Sequence, residues 1–207
     1  MVTDFRLPRL YPILDSSCFT SEAALFEAAR ALVASGCSIL QYRNKTGSSR
    51  EMLSHARELR RIVPRTVKLI MNDHADLALA ADFDGVHVGQ DDLSVEAVRR
   101  IVGPKLIVGT STHNPEQVRE AEAANPDYIA IGPVFATASK VNPDPVVGVE
   151  GVRLARSLTT KPLVAIGGIT LAHARSVIQA GADSLALISA LLPEPQKSVE
   201  QFHAVLM

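Results

Sequence analysis

The sequence is poor in aromatic residues and carries almost no excess charge, and each shortage excludes a class of protein. Aromatic residues make up 4% of the 207 residues and tryptophan is absent, which argues against a stacking platform for single-stranded nucleic acid. The 21 basic and 22 acidic residues leave a net charge of −1, which is unlike the basic surface of a nucleic-acid or membrane binder. We therefore expect neither partner, and any anion site must be local.

Cysteines and long apolar runs are also scarce. Cys18 and Cys37 form no zinc or C-x-x-C spacing, so we expect two reduced, buried thiols, as in a cytoplasmic protein. The opening residues, MVTDFRLPRLYP, lack an apolar signal segment, and no run of eighteen apolar residues follows. With 47% hydrophobic residues, the chain has enough apolar side chains for a large core.

What the sequence does contain is a regular alternation of short apolar runs with amphipathic segments. Such alternation indicates parallel strands joined by helices that cover both faces of a sheet. There are eight candidate strands: RLYPILD (9–15), SILQYR (38–43), KLIMND (68–73), GVHVG (85–89), LIVGTS (106–111), DYIAIGP (127–133), PLVAIGG (162–168) and DSLALIS (183–189).

An open nucleotide-binding sheet and a closed (β/α)₈ barrel both fit this alternation, and the count of eight favours the barrel. The first turn, DSSCFTSE, lacks G-x-G-x-x-G, and the chain has no Walker A motif. We predict a single-domain (β/α)₈ TIM barrel over residues 1–207. Residues 134–148 form an unusually long connection, which we expect to be a mobile binding loop or lid.

The stretch QYRNK ends the second predicted strand and places Gln41, Arg43 and Lys45 two residues apart. Because side chains of a strand alternate between its faces, these three would point the same way. An exposed edge strand is one interpretation. If the strand is central to a barrel, however, its carboxyl end lies at the mouth where such folds place their chemistry, and the stretch predicts a cationic site.

Asp73 and Asp92 follow successive strands and can converge above the barrel. Two carboxylates suit Mg²⁺, which usually keeps several waters and takes one or two protein carboxylates. Each could instead cap the helix that follows it. With Arg43, Lys45 and Lys140 on nearby loops, the pair would form a rim that fits a polyanion bridged to magnesium.

Gly167-Gly168 and Ile188-Ser189 close the last two predicted strands, where barrels often bind a phosphate. Two ordinary turns are the alternative interpretation. The motifs G-x-S-x-G, S-x-x-K and H-E-x-x-H are absent.

Among the histidines, we expect His55, His173 and His203 to lie on helix surfaces. His87 could be a hydrogen-bonded residue inside the barrel, and His113 is a possible acid or base.

Seven segments, in order and at their intervals, resemble the thiamine-phosphate synthase family over about residues 10–191. They are QYRNK, MND, GVHVGQDD, VGTSTH, GPVFATASK, VAIGGI and ADSLALIS. The resemblance implies a (β/α)₈ transferase that joins a hydroxymethylpyrimidine diphosphate to a thiazole phosphate by a Mg²⁺-assisted dissociative substitution. It also implies roles for named residues. Asp73 and Asp92 would bind magnesium; Gln41, Arg43, Lys45, Asn72, Ser111 and Lys140 would contact the pyrimidine diphosphate; Thr137, Ser139, Gly168, Ile188 and Ser189 would surround the thiazole phosphate.

Arg43, Lys45, Ser111 and Lys140 would then be the catalytic residues. One departure from the family concerns the long loop, which often reads T-x-T-K there and is TASK here. Ser139 keeps the hydroxyl, although the missing methyl could loosen the loop.

Two other functions compete with this interpretation. A thiazole tautomerase on a similar barrel would use His113 as acid and base, and a catalytically silent sensor would only bind a phosphate ligand. Lys45, Asp92 and Lys140 argue against both, because neither function has an evident use for a diphosphate site. The sequence does not indicate an oligomeric state.

Overall fold

A computed structural model describes residues 5–137, 144–192 and 194–206 of the chain. Within these ranges, eight strands alternate with eight α-helices, and the strands pair in parallel and in order until β8 meets β1. The strands are β1 (Leu10–Asp15), β2 (Ile39–Arg43), β3 (Lys68–Asn72), β4 (Gly85–Val88), β5 (Ile107–Thr112), β6 (Tyr128–Ile131), β7 (Leu163–Ile166) and β8 (Ser184–Leu187). The predicted closed barrel and all eight strands are therefore confirmed.

The helices form the outer layer of the barrel. They are α1 (Glu22–Ala34), α2 (Ser49–Ile62), α3 (Ala75–Ala80), α4 (Val95–Val102), α5 (Pro115–Ala124), α6 (Gly148–Leu158), α7 (Leu171–Gln179) and α8 (Pro195–Leu206). Their boundaries follow local sequence signals. For example, α5 has Asn114 as its N-cap and Pro115 in its first turn, and its C-cap, Asn125, has the left-handed conformation.

Two apolar clusters result from strand alternation. The larger lies between strands and helices, and the smaller fills the barrel with side chains such as Tyr11, Ile70 and Tyr128. The strand containing QYRNK pairs with β1 on one side and β3 on the other. The edge-strand interpretation is therefore wrong, and Gln41 and Arg43 lie at the carboxyl end of a strand that is paired on both sides.

Two expectations about burial were wrong. Cys18 is exposed, although Cys37 is buried and both thiols are free, because Cys18 lies in a short 3₁₀ turn after β1 instead of a strand. His55 is buried rather than on the helix surface, because its side chain lies beneath α1 with Nδ1 2.8 Å from the Tyr42 hydroxyl.

The long connection between β6 and α6 is only partly described. Residues 138–143, which include Ser139 and Lys140, lie outside the described residues, and the mobility of the loop stays a prediction. None of the described helices is both long and apolar enough to cross a membrane.

Candidate active site

A cavity of about 710 Å³ opens at the carboxyl ends of the strands. The parallel pairing places all eight βα connections at this end of the barrel, so residues far apart in sequence line one space. The described predicted site residues all line it: Gln41, Arg43, Lys45, Asn72, Asp73, Asp92, Ser111, Thr137, Gly168, Ile188 and Ser189. His113, the proposed acid or base of the alternative function, lines it as well.

Asp73 and Asp92 meet at one side of the mouth, close enough for one carboxyl group, when protonated, to donate a hydrogen bond to the other. Neither caps a helix: His74 precedes α3, and the N-cap of α4 is Ser94. Asp92 instead accepts a hydrogen bond from the Gly89 N–H at 2.8 Å. The capping alternatives are therefore wrong, and both carboxylates face the cavity.

The two carboxyl groups differ in their affinity for a proton. Burial, and secondarily the neighbouring Asp92, raise the pKa of Asp73. Burial also disfavours the charged form of Asp92, but the hydrogen bonds from Asp73 and the Gly89 N–H outweigh it and lower the Asp92 pKa. Two carboxyl groups at one point thus tend to share a proton, and a cation can take that proton's place.

Lys45 lies against this pair, with Nζ 2.5 Å from Asp73 Oδ2. The Lys45 side chain is 46% exposed, compared with 11% for Asp73. Because the ammonium remains largely hydrated, it does not offset the burial of the carboxyl group, and the pKa of Asp73 stays raised. The ammonium therefore lies at the mouth beside the acidic pair.

Arg43 is held by a residue that the sequence analysis did not identify. Its guanidinium donates a hydrogen bond to Asp15, whose side chain is buried at the end of β1. The register that pairs Asp15 with Arg43 across β1 and β2 explains the contact. A paired guanidinium keeps a fixed direction, so Arg43 is pre-oriented at the rim.

A chain of hydrogen bonds between neutral groups crosses the floor of the cavity. Gln41 Nε2 donates to the Tyr11 hydroxyl at 3.1 Å, and the hydroxyls of Tyr11 and Tyr128 lie 2.9 Å apart. The Tyr128 hydroxyl is 2.9 Å from His87 Nδ1, and His87 Nε2 is 2.8 Å from Ser111 Oγ. The interior position expected for His87 is thereby confirmed.

The amide of Gln41 sets the direction of this chain. The Tyr11 hydroxyl accepts from Gln41 and lies beside the Tyr128 hydroxyl, so the arrangement that gives each buried proton an acceptor has Tyr11 donating to Tyr128 and Tyr128 donating to His87 Nδ1. His87 then carries its proton on Nε2 and donates to Ser111, whose hydroxyl proton is left to face the cavity. Burial lowers the pKa of His87 to about 4, so the imidazole stays neutral near pH 7.

Asn72 adds an unmatched donor to the same cavity. Its side chain is buried, and within the part of the chain that the structure describes its Nδ2 atom has no hydrogen-bond partner. A buried amide without a partner is destabilising. A ligand that accepts from Nδ2 would remove that cost.

The opposite side of the mouth contains no charged side chain on β7 or β8 and is built from backbone. Gly167 and Gly168 have φ of 98° and 62°, and a Cβ on Gly168 would lie 2.4 Å from the Ala136 carbonyl oxygen. The turn after β7 therefore requires glycine and packs against the start of the long loop. The first turns that follow Thr170 and Ile188 have no side-chain cap, which leaves their amides for an anion.

His113 is engaged with its neighbours at the edge of the cavity. Its Nδ1 atom lies 2.6 Å from the Gly132 carbonyl oxygen, and Nε2 is 3.4 Å from Asp144 Oδ2. Both ring nitrogens thus have partners on or next to the long connection. These contacts suit a histidine that supports the loop better than one that transfers protons to a ligand.

Comparisons with known proteins agree on one family. A family model described as thiamine monophosphate synthase matches residues 10–191. The thiamine-phosphate synthase of Koribacter versatilis is 59% identical over 209 residues, covering 100% of this chain and 99% of that protein. That of Chloroflexus aurantiacus is 44% identical over 187 residues, covering 89% and 85%. A solved thiamine phosphate pyrophosphorylase from Pyrococcus furiosus matches with a TM-score of 0.84 and 33% identity, covering 96% of this chain and 95% of that one.

Proposed function

Because the chain belongs to the thiamine monophosphate synthase family, we propose that its cavity joins a pyrimidine diphosphate to a thiazole phosphate. Membership makes the chain an enzyme and a transferase that acts on small molecules. The proposed substrates are 4-amino-5-hydroxymethyl-2-methylpyrimidine diphosphate and 4-methyl-5-(2-hydroxyethyl)thiazole phosphate, or its carboxylated form. The products are thiamine phosphate and pyrophosphate.

The assignment of Asp73 and Asp92 to a Mg²⁺ site rests on the contact between their carboxyl groups. Two carboxyl groups that share one point at the mouth, with a raised pKa on Asp73, fit Mg²⁺, which prefers oxygen ligands and needs few from protein. Among the described residues no third acidic, histidine or cysteine side chain completes a metal cluster, so water and diphosphate oxygens would supply the other ligands. Bound there, Mg²⁺ would neutralise part of the diphosphate charge.

The basic side chains of the rim complete the diphosphate site. When the pyrimidine C–O bond breaks, its electron pair leaves with the diphosphate, whose negative charge grows. Arg43, fixed by Asp15, and Lys45, beside Asp73, lie where they can stabilise that charge. Lys140 is proposed to join them from the long loop, although it lies outside the described residues.

The floor of the cavity suits the pyrimidine. The aminopyrimidine ring can carry the positive charge left by the departing diphosphate, so the substitution is dissociative. Gln41 and Asn72 offer amide groups to the ring and its substituents, and the inward proton of Ser111 can donate to an oxygen of the leaving group. The neutral His87 and the two tyrosines fix that hydroxyl without adding a charge to the site.

The backbone-built side of the mouth is proposed to bind the thiazole phosphate. Gly168, Ile188, Ser189 and Thr137 line it, and Ser139 is proposed to join them from the part of the loop outside the described residues. A phosphate held there would place the thiazole nitrogen towards the pyrimidine, and the nitrogen lone pair then forms the new C–N bond. The protein supplies no nucleophile in this scheme, which agrees with the absence of a nucleophile motif.

One assay tests the proposal. The purified chain is incubated with both substrates, with and without Mg²⁺, and thiamine phosphate and pyrophosphate are quantified. We expect both products in equal amounts and only with Mg²⁺. Coupling at the full rate in the presence of a strong chelator would contradict the metal assignment, and no coupling at all would contradict the function.

The comparisons lend no support to the tautomerase or to the silent sensor. The contacts of His113 with Gly132 and Asp144 also weigh against its use as an acid or base in the tautomerase. Isomerisation of a thiazole phosphate carboxylate without any coupling would nevertheless favour that alternative. The cytoplasmic location of the enzyme remains part of this proposal.

A further inference from the structure

The stretch QYRNK has two faces, and only one of them reaches the cavity. Gln41, Arg43 and Lys45 line the cavity at the mouth of the barrel. Tyr42 and Asn44 alternate with them and point outward, towards α2. Both outward side chains are buried, although neither touches the space where the substrates are proposed to bind. Their polar groups therefore need another role.

Asn44 closes the turn that carries Lys45. Its Oδ1 atom accepts hydrogen bonds from the N–H groups of Thr46 at 3.1 Å and Gly47 at 2.8 Å. One side-chain oxygen thus folds the backbone around Lys45 into a tight loop, as asparagine commonly does in turns. The conformation of Lys45 depends on this loop because Lys45 is the residue between the acceptor and the two donors.

The other half of the Asn44 amide ties the turn to the helical layer. Nδ2 lies 3.3 Å from the Tyr42 hydroxyl and 3.3 Å from Glu51 Oε1 on α2. The Tyr42 hydroxyl in turn lies 2.8 Å from Nδ1 of His55, also on α2. Strand β2, the turn and α2 are thereby connected through a single amide group.

Packing alone does not hold this turn. A second cavity of about 220 Å³ lies behind it, lined in part by Asn44, Thr46, Glu51 and His55. Close-packed side chains would restrict the loop by contact, but here hydrogen bonds must do so. Space is short at Gly47, where a Cβ would lie 2.5 Å from Asn44 Nδ2; glycine there lets the backbone approach the amide.

We propose that Asn44 is a positioning residue that holds the Lys45 ammonium at the acidic pair, 2.5 Å from Asp73, ready for the departing diphosphate. This inference rests on the proposed function, because it requires Lys45 to act on the diphosphate. Loss of the Asn44 amide would free the backbone from residue 44 to residue 47. A displacement of about 1 Å at a catalytic group can lower a rate about a hundredfold, so a substantial effect is expected without any contact between Asn44 and substrate.

A double-mutant cycle tests the inference. Lys45→Ala alone should lower kcat/KM for the pyrimidine diphosphate by about a hundredfold or more. Asn44→Ala should lower it by about ten- to a hundredfold while the KM for the thiazole phosphate stays within about twofold. In the Lys45→Ala background, Asn44→Ala should have almost no further effect, because the group that it positions is gone. Asn44→Asp, combined with Glu51→Gln so that two carboxylates do not meet at 3.3 Å, keeps the acceptor oxygen for both backbone amides and should restore most of the activity.

Ser48→Ala provides the matched control. Ser48 Oγ accepts from the Glu51 N–H at 3.2 Å and caps α2, so its loss costs about 1 kcal/mol of stability without touching the turn. We expect activity close to that of the wild type.

The possible failures of the cycle are distinguishable. An equal loss from Asn44→Ala in both backgrounds, or no loss in the wild type, would contradict the positioning role. An unchanged rate in Lys45→Ala would contradict the proposed diphosphate site and the inference with it.

Discussion

The two ends of the barrel use similar charged residues for opposite purposes. At the mouth, Lys45, Asp73 and Asp92 surround a cavity. At the closed end, each of three aspartates that precede an even-numbered strand pairs with an arginine on a helix. The pairs are Asp84 with Arg60, Asp127 with Arg99, and Asp183 with Arg156.

The pairs at the closed end match most of their hydrogen-bonding atoms, although the buried Nε of Arg60 has no partner among the described residues. Asp127 Oδ2 accepts from the Val108 N–H at 2.8 Å and from Arg99 at 2.6 Å, while the Asp127 N–H donates to the Val108 carbonyl at 2.7 Å. Arg99 also donates to the carbonyls of Gly103 and Leu106. The pattern recurs at Asp84 and Asp183, so these groups join neighbouring strands to helices.

The polar groups at the mouth are arranged differently, because two carboxyl groups lie side by side and a buried amide nitrogen has no hydrogen-bond partner among the described residues. Two carboxyl groups contact each other, and within the described residues the buried Nδ2 of Asn72 has no partner. Both features cost stability, which is common where a site is built for a ligand. An acidic or basic residue is therefore not diagnostic of function by itself; the strand end on which it lies decides its role.

The largest difference between the two ends should appear on removing Asp92. We expect Asp92→Ala to lower kcat for coupling by about a thousandfold or more, because the proposed Mg²⁺ site would lose one of its ligands where the charge of the diphosphate develops. The melting temperature should change little, since relief of the burial of two adjacent carboxyl groups offsets the loss of the hydrogen bond from the Gly89 N–H. Steady-state kinetics and thermal unfolding on the same preparation measure the kcat and the melting temperature. If the Asp92→Ala variant is as active as the wild type at limiting Mg²⁺, Asp92 does not belong to the site.

The matched change at the closed end should have the opposite outcome. We expect Asp127→Ala to lower the free energy of unfolding by about 3 kcal/mol, because Arg99 and the Val108 N–H lose a partly buried partner. Activity per folded molecule should remain that of the wild type. Urea unfolding and active-site titration test this pair of outcomes; a large fall in kcat with unchanged stability would contradict the division between the two ends.

Acid should destabilise the protein through His87, at the floor of the mouth. The unfolded chain protonates this residue near its ordinary pKa, whereas the folded protein keeps it neutral down to about 4. The unfolded state thus binds more protons between these values, so stability falls as the pH drops through that window. We expect His87 to account for about 2 kcal/mol between pH 7 and pH 5. Urea unfolding of wild type and His87→Gln should show a smaller pH dependence in the variant, and equal slopes would contradict the buried neutral histidine.

The smallest effect is expected from interrupting the neutral chain. Tyr128→Phe removes the hydroxyl between Tyr11 and His87 but keeps the ring, so we expect about a tenfold lower kcat. Because the buried Tyr11 hydroxyl and His87 Nδ1 lose this partner, we also expect a loss of stability of about 1 kcal/mol or more. Nitrogen NMR of His87 should change from one tautomer, with the proton on Nε2, to a mixture. A single unchanged tautomer would show that Tyr128 does not set the direction of the chain.

Much of this architecture could be predicted from the sequence, because local signals determine it. The eight strands follow from apolar runs between helical segments. Polar residues such as Gln41, Asn72 and Ser111 could be placed at the mouth because a barrel collects its strand ends there. The roles proposed for them depended on the family resemblance and remain predictions.

The residues that were missed are those whose roles depend on distant partners. Asp15 looks like the end of an apolar strand until the register places Arg43 beside it. Tyr11 and Tyr128 are 117 positions apart, and only closure of the barrel brings their hydroxyls together. His55 was expected at a surface because it lies on a predicted helix, whereas the Tyr42 hydroxyl makes its burial possible.

The central claim is that the acidic pair at the mouth binds a metal-bridged diphosphate while the charged pairs at the closed end hold the fold. Calorimetric titration with pyrophosphate, with and without Mg²⁺, tests it most directly in the wild type, Asp92→Asn and Asp127→Asn. We predict Mg²⁺-dependent binding in the wild type and in Asp127→Asn, and its loss in Asp92→Asn. Equal Mg²⁺-dependent affinity in Asp92→Asn and the wild type would contradict the account.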